Sequence, residues 1–245
     1  MNVRDVTTIA AKDLRTATAR RSIRVTLVLF PLIAALGFPL VLQSAGRKTG
    51  GIPASALPTL LDAFLFFFVI AAATLPTAIG AYALVGEKVE RSLEPLLATP
   101  VSDEDILLGK SLAAFIPSVL VTWICAALFM AISDVQTHAT LGYSYFPNSS
   151  AWLLVLLVVP LAAALSVVIN VLVSARATDV RSAQQVGALP ALPFAALYVA
   201  GEIKAITLAG WTLVVVAGVL VVVVVGLFAT ARSTFSREEI LTRWR

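Results

Sequence analysis

The chain has 245 residues, of which 59% are hydrophobic and 13% charged, against roughly 45–50% and about 25% in a soluble domain. That balance excludes a water-soluble globule and predicts a membrane protein. The net charge is only +4, and the lysines and arginines are dispersed or flank apolar runs, so nucleic acid is excluded as a partner and the lipid bilayer takes its place.

Residues 2–20 carry Val3, Val6, Ile9, Ala10, Leu14 and Ala17 at helical spacing, with Arg4, Lys12, Arg15 and Arg20 around them. This predicts an amphipathic helix lying in the membrane interface within residues 1–24. The leader is basic and polar and the apolar stretch after it is long enough to stay as a span, so no cleavable signal peptide is expected. Six apolar runs follow, at 25–43, 60–85, 111–133, 151–173, 186–202 and 209–229, and crossing a ~30 Å core takes roughly 20 helical residues. The fifth run is short and holds Pro190 and Pro193, which leaves open a full helix, a broken helix or part of a re-entrant segment.

The expected fold class is therefore all-α: one polytopic domain over residues 1–245, six spans within 25–229, and a tail at 230–245. With both termini inside, every basic residue except Arg47, Lys48 and Lys204 falls on the cytoplasmic side, the distribution that orients membrane proteins. Outside lie two loops, 44–58 and 134–150. The second holds His138, read as a solvated loop residue, and Tyr143 and Tyr145, which with Trp152 mark the outer interface belt. The single cysteine, Cys125, sits in an apolar run as a small buried residue, so neither an intrachain disulfide nor a cysteine metal cluster is expected.

The longest charged interruption is residues 86–110, between the second and third runs. Val89, Leu93 and Leu97 recur at helical spacing, and Glu87 and Arg91 stand four apart in the order that favours an ion pair. Pro95 ends or kinks that helix near Glu94, and Thr99-Pro100 makes a turn. Ser102 then supplies an N-cap with three acids in the first turn behind it. The pattern is a short helix, a tight corner and a second helix that runs into the membrane.

Glu87-Lys-Val-Glu-Arg-Ser-Leu-Glu-Pro-Leu-Leu-Ala-Thr-Pro-Val-Ser102, followed by Ile106-Leu-Leu-Gly-Lys110, resembles the cytoplasmic signature of ABC-2 type permeases, the membrane subunits of one class of ATP-binding-cassette transporter. The resemblance implies an interfacial N-terminal helix, six spans, and a coupling helix that docks in a cleft of a separate ATPase. By resemblance Glu87, Glu90, Arg91 and Glu94 would meet the ATPase. Val89, Leu93 and Leu97 would hold the helix against its own membrane domain, with Pro95, Thr99 and Pro100 shaping the loop. The implied assembly is two copies of the permease, as a homodimer or a related heterodimer, with two copies of the ATPase in the plasma membrane of a prokaryote. ATP and magnesium would belong to the ATPase, and this chain would hold no cofactor.

Residues 109–111 end like a phosphate-binding loop, but Glu104 stands where its first glycine would be. The chain is therefore not expected to hydrolyse ATP. Catalysis within the membrane lacks candidates, since no nucleophile–base pair or group of metal ligands falls in the spans. The polar residues at depth are Thr74, Thr77, Thr122, Ser166 and Asn170. Asn170 is a candidate for the translocation path, or for a hydrogen bond across a helix interface. The function expected is export of a hydrophobic or amphipathic substrate. The alternatives are a non-transporting anchor or regulator of a cytoplasmic ATPase complex, and an ion-exporting family member.

Overall fold

The structure is a computed structural model that describes residues 2–49, 51–80, 101–177, 179–203, 206–207 and 210–234. Among them all regular structure is helical. In chain order the helices are α1 (Val3–Ala19), α2 (Arg21–Thr49), α3 (Leu57–Thr74), α4 (Thr77–Gly80), α5 (Asp103–Leu141), α6 (Ser149–Leu153), α7 (Val159–Arg176), α8 (Val180–Gly187), α9 (Ala191–Glu202) and α10 (Trp211–Thr234), with a π-helical turn at Leu154–Val158 between α6 and α7.

Among the described residues five stretches are long and apolar enough to cross a membrane: Arg21–Arg47, Leu57–Gly80, Asp103–Leu141, Ser149–Ser174 and Trp211–Ala231. The fifth run of the sequence is divided instead into α8, of 8 residues, and α9, of 12. Pro190 stands at the break, as the N-cap of α9. Pro76 likewise separates α3 from α4, whereas Pro31, Pro39 and Pro117 lie inside continuous helices.

Two hydrophobic clusters define the ends of the bundle. One joins Ile9 of α1, Ile23 of α2, Leu75, Ile106 of α5, Val171 of α7 and Ala231 of α10. The larger one fills the rest, with Leu42, Leu57, Phe129, Ala151 and Leu213 among its members. The start of α2, the end of α3, the start of α5 and the ends of α7 and α10 therefore share the α1 end of the molecule. From α2 to α7 consecutive long helices alternate in direction, and α10 runs the same way as α7, with the shorter α8 and α9 between them.

Lipid is as apolar as leucine, so close packing rather than water expulsion holds such helices together. α3 and α7 meet through small residues: Ala72, Ala73, Ala162 and Ala163 have no exposed surface. Phe38 of α2 stacks on Phe64 with ring centroids 4.4 Å apart and meets Phe129 of α5 edge-on. The π turn frees a carbonyl at Val155, and the Trp123 indole N–H donates to it at 2.8 Å.

α5 has 39 residues and is roughly 60 Å long, twice the thickness of a hydrocarbon core. It absorbs half of the loop expected at 134–150. Nothing in residues 134–141 breaks a helix, and α5 ends only at Gly142, whose φ of 76° is the left-handed closure that glycine favours. His138 is therefore an exposed residue of the last helical turn, not of a loop. The other expected outer loop is shortened in the same way, because α2 continues to Thr49.

Candidate functional site

The chain enters α5 through a cap. Ser102 Oγ accepts the Asp105 N–H at 3.2 Å, and Asp103, Glu104 and Asp105 occupy the first turn, where a helix dipole favours acids. In the usual box the third acid turns back to its own cap. Asp105, which is buried, instead accepts the backbone N–H of Asn2 at 3.2 Å on each carboxylate oxygen. Asn2 is itself the N-cap of α1 and accepts the Arg4 N–H at 3.2 Å. Two helix starts are thus tied to one another.

Two turns along, Lys110 Nζ donates to Asp13 Oδ2 at 3.1 Å, with the lysine side chain 0% exposed and the aspartate 14%. Between these ties α1 lies directly on α5. A Cβ on Gly109 would meet Ile9 Cβ and Cγ2 at 2.8 Å and the Val6 carbonyl at 3.1 Å, so only glycine permits that approach. Val6, Ile9, Ala10 and Ala17 are the buried residues of α1, and Asp13 continues their stripe at helical spacing. The result is a clamp: an amphipathic helix held to the head of the longest span by its apolar stripe, two capping contacts and a buried ion pair.

A second polar cluster lies where α4, α7 and α8 cross. Asn170 is fully buried, and its Nδ2 donates to the Ser166 carbonyl at 2.8 Å, the Gly187 carbonyl at 3.0 Å, Ser166 Oγ at 3.2 Å and, more weakly, Thr77 Oγ1 at 3.4 Å. Thr77 Oγ1 also donates to the Gly187 carbonyl at 3.2 Å. Asn170 Oδ1 is buried without a partner. A Cβ added to Gly187 would land on that oxygen, and one added to Gly80 would lie 2.8 Å from Asn170 Cβ. Glycine at both places lets the helices close around one amide. The hydroxyls of Thr74 and Thr122 stay within their own helices, on carbonyls three or four residues back.

At the end of the bundle away from α1, Asp134 Oδ1 accepts the N–H groups of Tyr145 and Phe146, each at 2.9 Å. The Tyr145 hydroxyl hydrogen-bonds Asp62. Burial, and then the charge of Asp62, push the phenol well above its ordinary pKa. Tyr143 and Trp152 stand exposed near this end. Cys125 is buried, and among the described residues no three histidine, cysteine or acidic side chains gather as metal ligands.

The family model described as "ABC-2 family transporter protein" matches residues 7–205. The chain belongs to the ABC-2 transporter family. No curated protein matches it. It is accordingly a multi-pass membrane component of a transport system. The matched residues take in both halves of the α1–α5 clamp except Asn2 and Val6, and all of the knot around Asn170, and stop before α10.

Of the residues singled out in the sequence, Glu87, Val89, Glu90, Arg91, Leu93, Glu94, Pro95, Leu97, Thr99 and Pro100 lie outside the described residues. Their flanks do not: Gly80 ends α4, and Val101 packs on the cluster at the α1 end. Asn170 is placed at a helix crossing with Thr77 and Ser166. Asp13 and Asp105 were not foreseen as partners of Lys110 and Asn2. One signal for Asp13 was available, since it is an acid on the apolar stripe of an amphipathic helix.

Proposed function

We propose that this ABC-2 chain is the membrane subunit of an ATP-driven exporter, coupled through a helix within residues 87–99 to a separate ATPase. Two copies of the chain work with two ATPase subunits in the plasma membrane of a prokaryote. ATP and magnesium reside on the ATPase. The α1 end faces the cytoplasm, α1 lies in the interface, and the substrate is hydrophobic or amphipathic. Six crossings are supported by the course of the chain: α7 ends at the α1 end, α10 also ends there, and α8 with α9 carries the chain back between them.

The observation that carries the reading is the clamp. Residues 81–100 are flanked by Gly80 and Val101 at the α1 end, and the chain resumes at Ser102 in a helix locked to α1 by Asp105 and Lys110. A push on that segment would arrive at α5 without being lost in a soft joint. Work reaches the membrane only if the segment contacts the two ATPase states differently. In this reading the two bundles rock about a path between them. Asn170 reaches the path when α8 shifts on α7 and uncovers its unpartnered carbonyl.

The test reverses the charges of Glu87 and Arg91 together in the full transporter, with helical content as the folding control. Loss of ATPase association and of substrate-stimulated hydrolysis is expected, with no solute movement in sealed vesicles. Survival of association and transport in the double reversal overturns the coupling assignment. Retained ATPase association with no solute movement in the unaltered protein points to an anchor instead. A purified transporter with one copy of this chain and no second permease overturns the dimer.

A further inference from the structure

At the end of the bundle away from α1, a cavity of about 410 Å³ opens between the last turns of α2, the start of α3 and the last turns of α5. Its size lies within the roughly 300–1,000 Å³ of ordinary small-molecule sites. The wall has two chemistries. Leu42 and Leu57, both buried, and Ile52 make an apolar side. Arg47, Gln136 and Thr140 make a polar one.

Two features of the polar side ask for a ligand. Among the described residues no acid pairs with the Arg47 guanidinium. Gln136 Oε1 is buried and lacks a hydrogen-bond partner, a costly state for a side-chain amide unless something fills it. Thr137, on the same stretch of α5, is already committed to the Ser133 carbonyl at 2.9 Å. A guanidinium that faces no acid among the described residues suits an oxyanion, which it binds with charge-assisted hydrogen bonds. The amide beside it suits a hydroxyl or amine on the same head group.

We propose that this cavity binds an amphiphile with a phosphate head that keeps one proton, the oxyanion on Arg47, the P–OH donating to Gln136 Oε1, and the hydrocarbon along Leu42, Ile52 and Leu57. A lipid supplies head and chain together, whereas a free anion supplies only the head. The joined molecule is the ligand, because the cavity offers both surfaces at once. Binding is a property of this chain and does not depend on the ATPase.

The experiment uses the full chain in a neutral maltoside detergent and dodecyl phosphate as the probe, at about pH 5, below the phosphate's second pKa of about 6, so that the head keeps its P–OH; binding is read by native mass spectrometry and by thermal unfolding. Inorganic phosphate and dodecanol are the two half-ligands. Dodecyl phosphate should bind and raise the unfolding temperature, and each half-ligand should bind at least about tenfold more weakly. Arg47→Gln should weaken dodecyl phosphate about tenfold, the scale of one lost charge-assisted contact. Gln136→Leu should weaken it severalfold without lowering the stability of the unliganded chain, since it removes the unpartnered amide. Arg24→Gln, on the first turn of α2, should change nothing.

Equal binding of inorganic phosphate would show a free-anion site and overturn the proposal. Equal binding of dodecanol would show an apolar hole that does not recognise the head. Wild-type affinity in Arg47→Glu, or equal losses in the Arg24 and Arg47 variants, would remove the assigned head contact.

Discussion

The clamp between α1 and α5 and the knot around Asn170 both bury polar groups in an apolar bundle, with different means. The clamp holds a formal ion pair, Lys110 with Asp13, and one of its partners keeps 14% of its side-chain surface exposed. The knot is sealed, and every group in it is neutral. A charge removed from water costs far more than an amide, so the ion pair stands at the edge of the bundle and the amide further in. Both depend on glycine for approach: Gly109 for Ile9, Gly187 and Gly80 for Asn170. Where charge is used, it fixes one helix to another. Where only an amide is used, three helices share its nitrogen, and its oxygen is left without a partner.

The comparison breaks most sharply at Asp13. Asp13→Leu takes the carboxylate away from a buried ammonium, and should cost about 3 kcal/mol, the low end for a broken buried pair because the site borders water. Lys110→Met should cost less, since Asp13 keeps contact with solvent and with Lys12 at 3.6 Å. The double variant should recover most of the loss, because an apolar pair replaces an ionic one at little cost. Thermal unfolding of the three purified variants measures the cycle. Equal losses in both single variants, with no recovery in the double, would show that the clamp rests on packing alone.

The knot should respond to size before charge. Gly187→Val puts a side chain where Asn170 Oδ1 sits and brings Cβ to 3.2 Å from Thr77 Cγ2, an overpacking that costs about 1–3 kcal/mol. Asn170→Leu removes the shared donor while Thr77 still serves the Gly187 carbonyl, and should cost about 1–2 kcal/mol. Combining Gly187→Ala with Asn170→Ser, which makes room for the new methyl, should cost less than the sum of the two. Strict additivity in unfolding free energy would separate residues that the structure places in contact.

The sequence makes one of these clusters easier to see than the other. Ser102 as a cap, the three acids behind it and the run into the third span are local patterns, and α5 begins where they predict. The Lys110–Asp13 pair spans 97 positions, and no local spacing relates its members. Asn170 stood out as a deep polar residue, but its partners on α4 and α8 come together only by tertiary folding. In the fifth apolar run Pro190 and Pro193 raised a break as one of the options, because proline does not fit a helix interior, and the division into α8 and α9 decides among them. The two loops expected outside both read too long, because composition marks where lipid ends and a helix in water needs only an absence of breakers. The cavity beside Arg47 had no sequence signal, since its walls come from three separate helices and the turn between two of them.

The smallest expected effect links the knot to pH. Asp179 caps α8, accepting the Ser182 N–H at 2.8 Å, and that hydrogen bond holds its carboxyl below the usual aspartate range. A lowered folded-state pKa means that the unfolded chain takes up its proton first as pH falls. The stabilisation is therefore complete above the ordinary value of about 3.9 and is lost as pH drops through the lower folded value. Because Asp179 is exposed, the change should stay local: the Ser182 amide should lose protection relative to its intrinsic exchange rate in acid, while the Asn170 amide keeps its own. Asp179→Asn keeps a capping oxygen without a titrating group, so it should abolish the acid dependence at Ser182 and leave α8 seated on α7. If acid frees the Asn170 amide together with Ser182, α8 is held to α7 through its cap, and the hydrogen bonds to Gly187 are secondary.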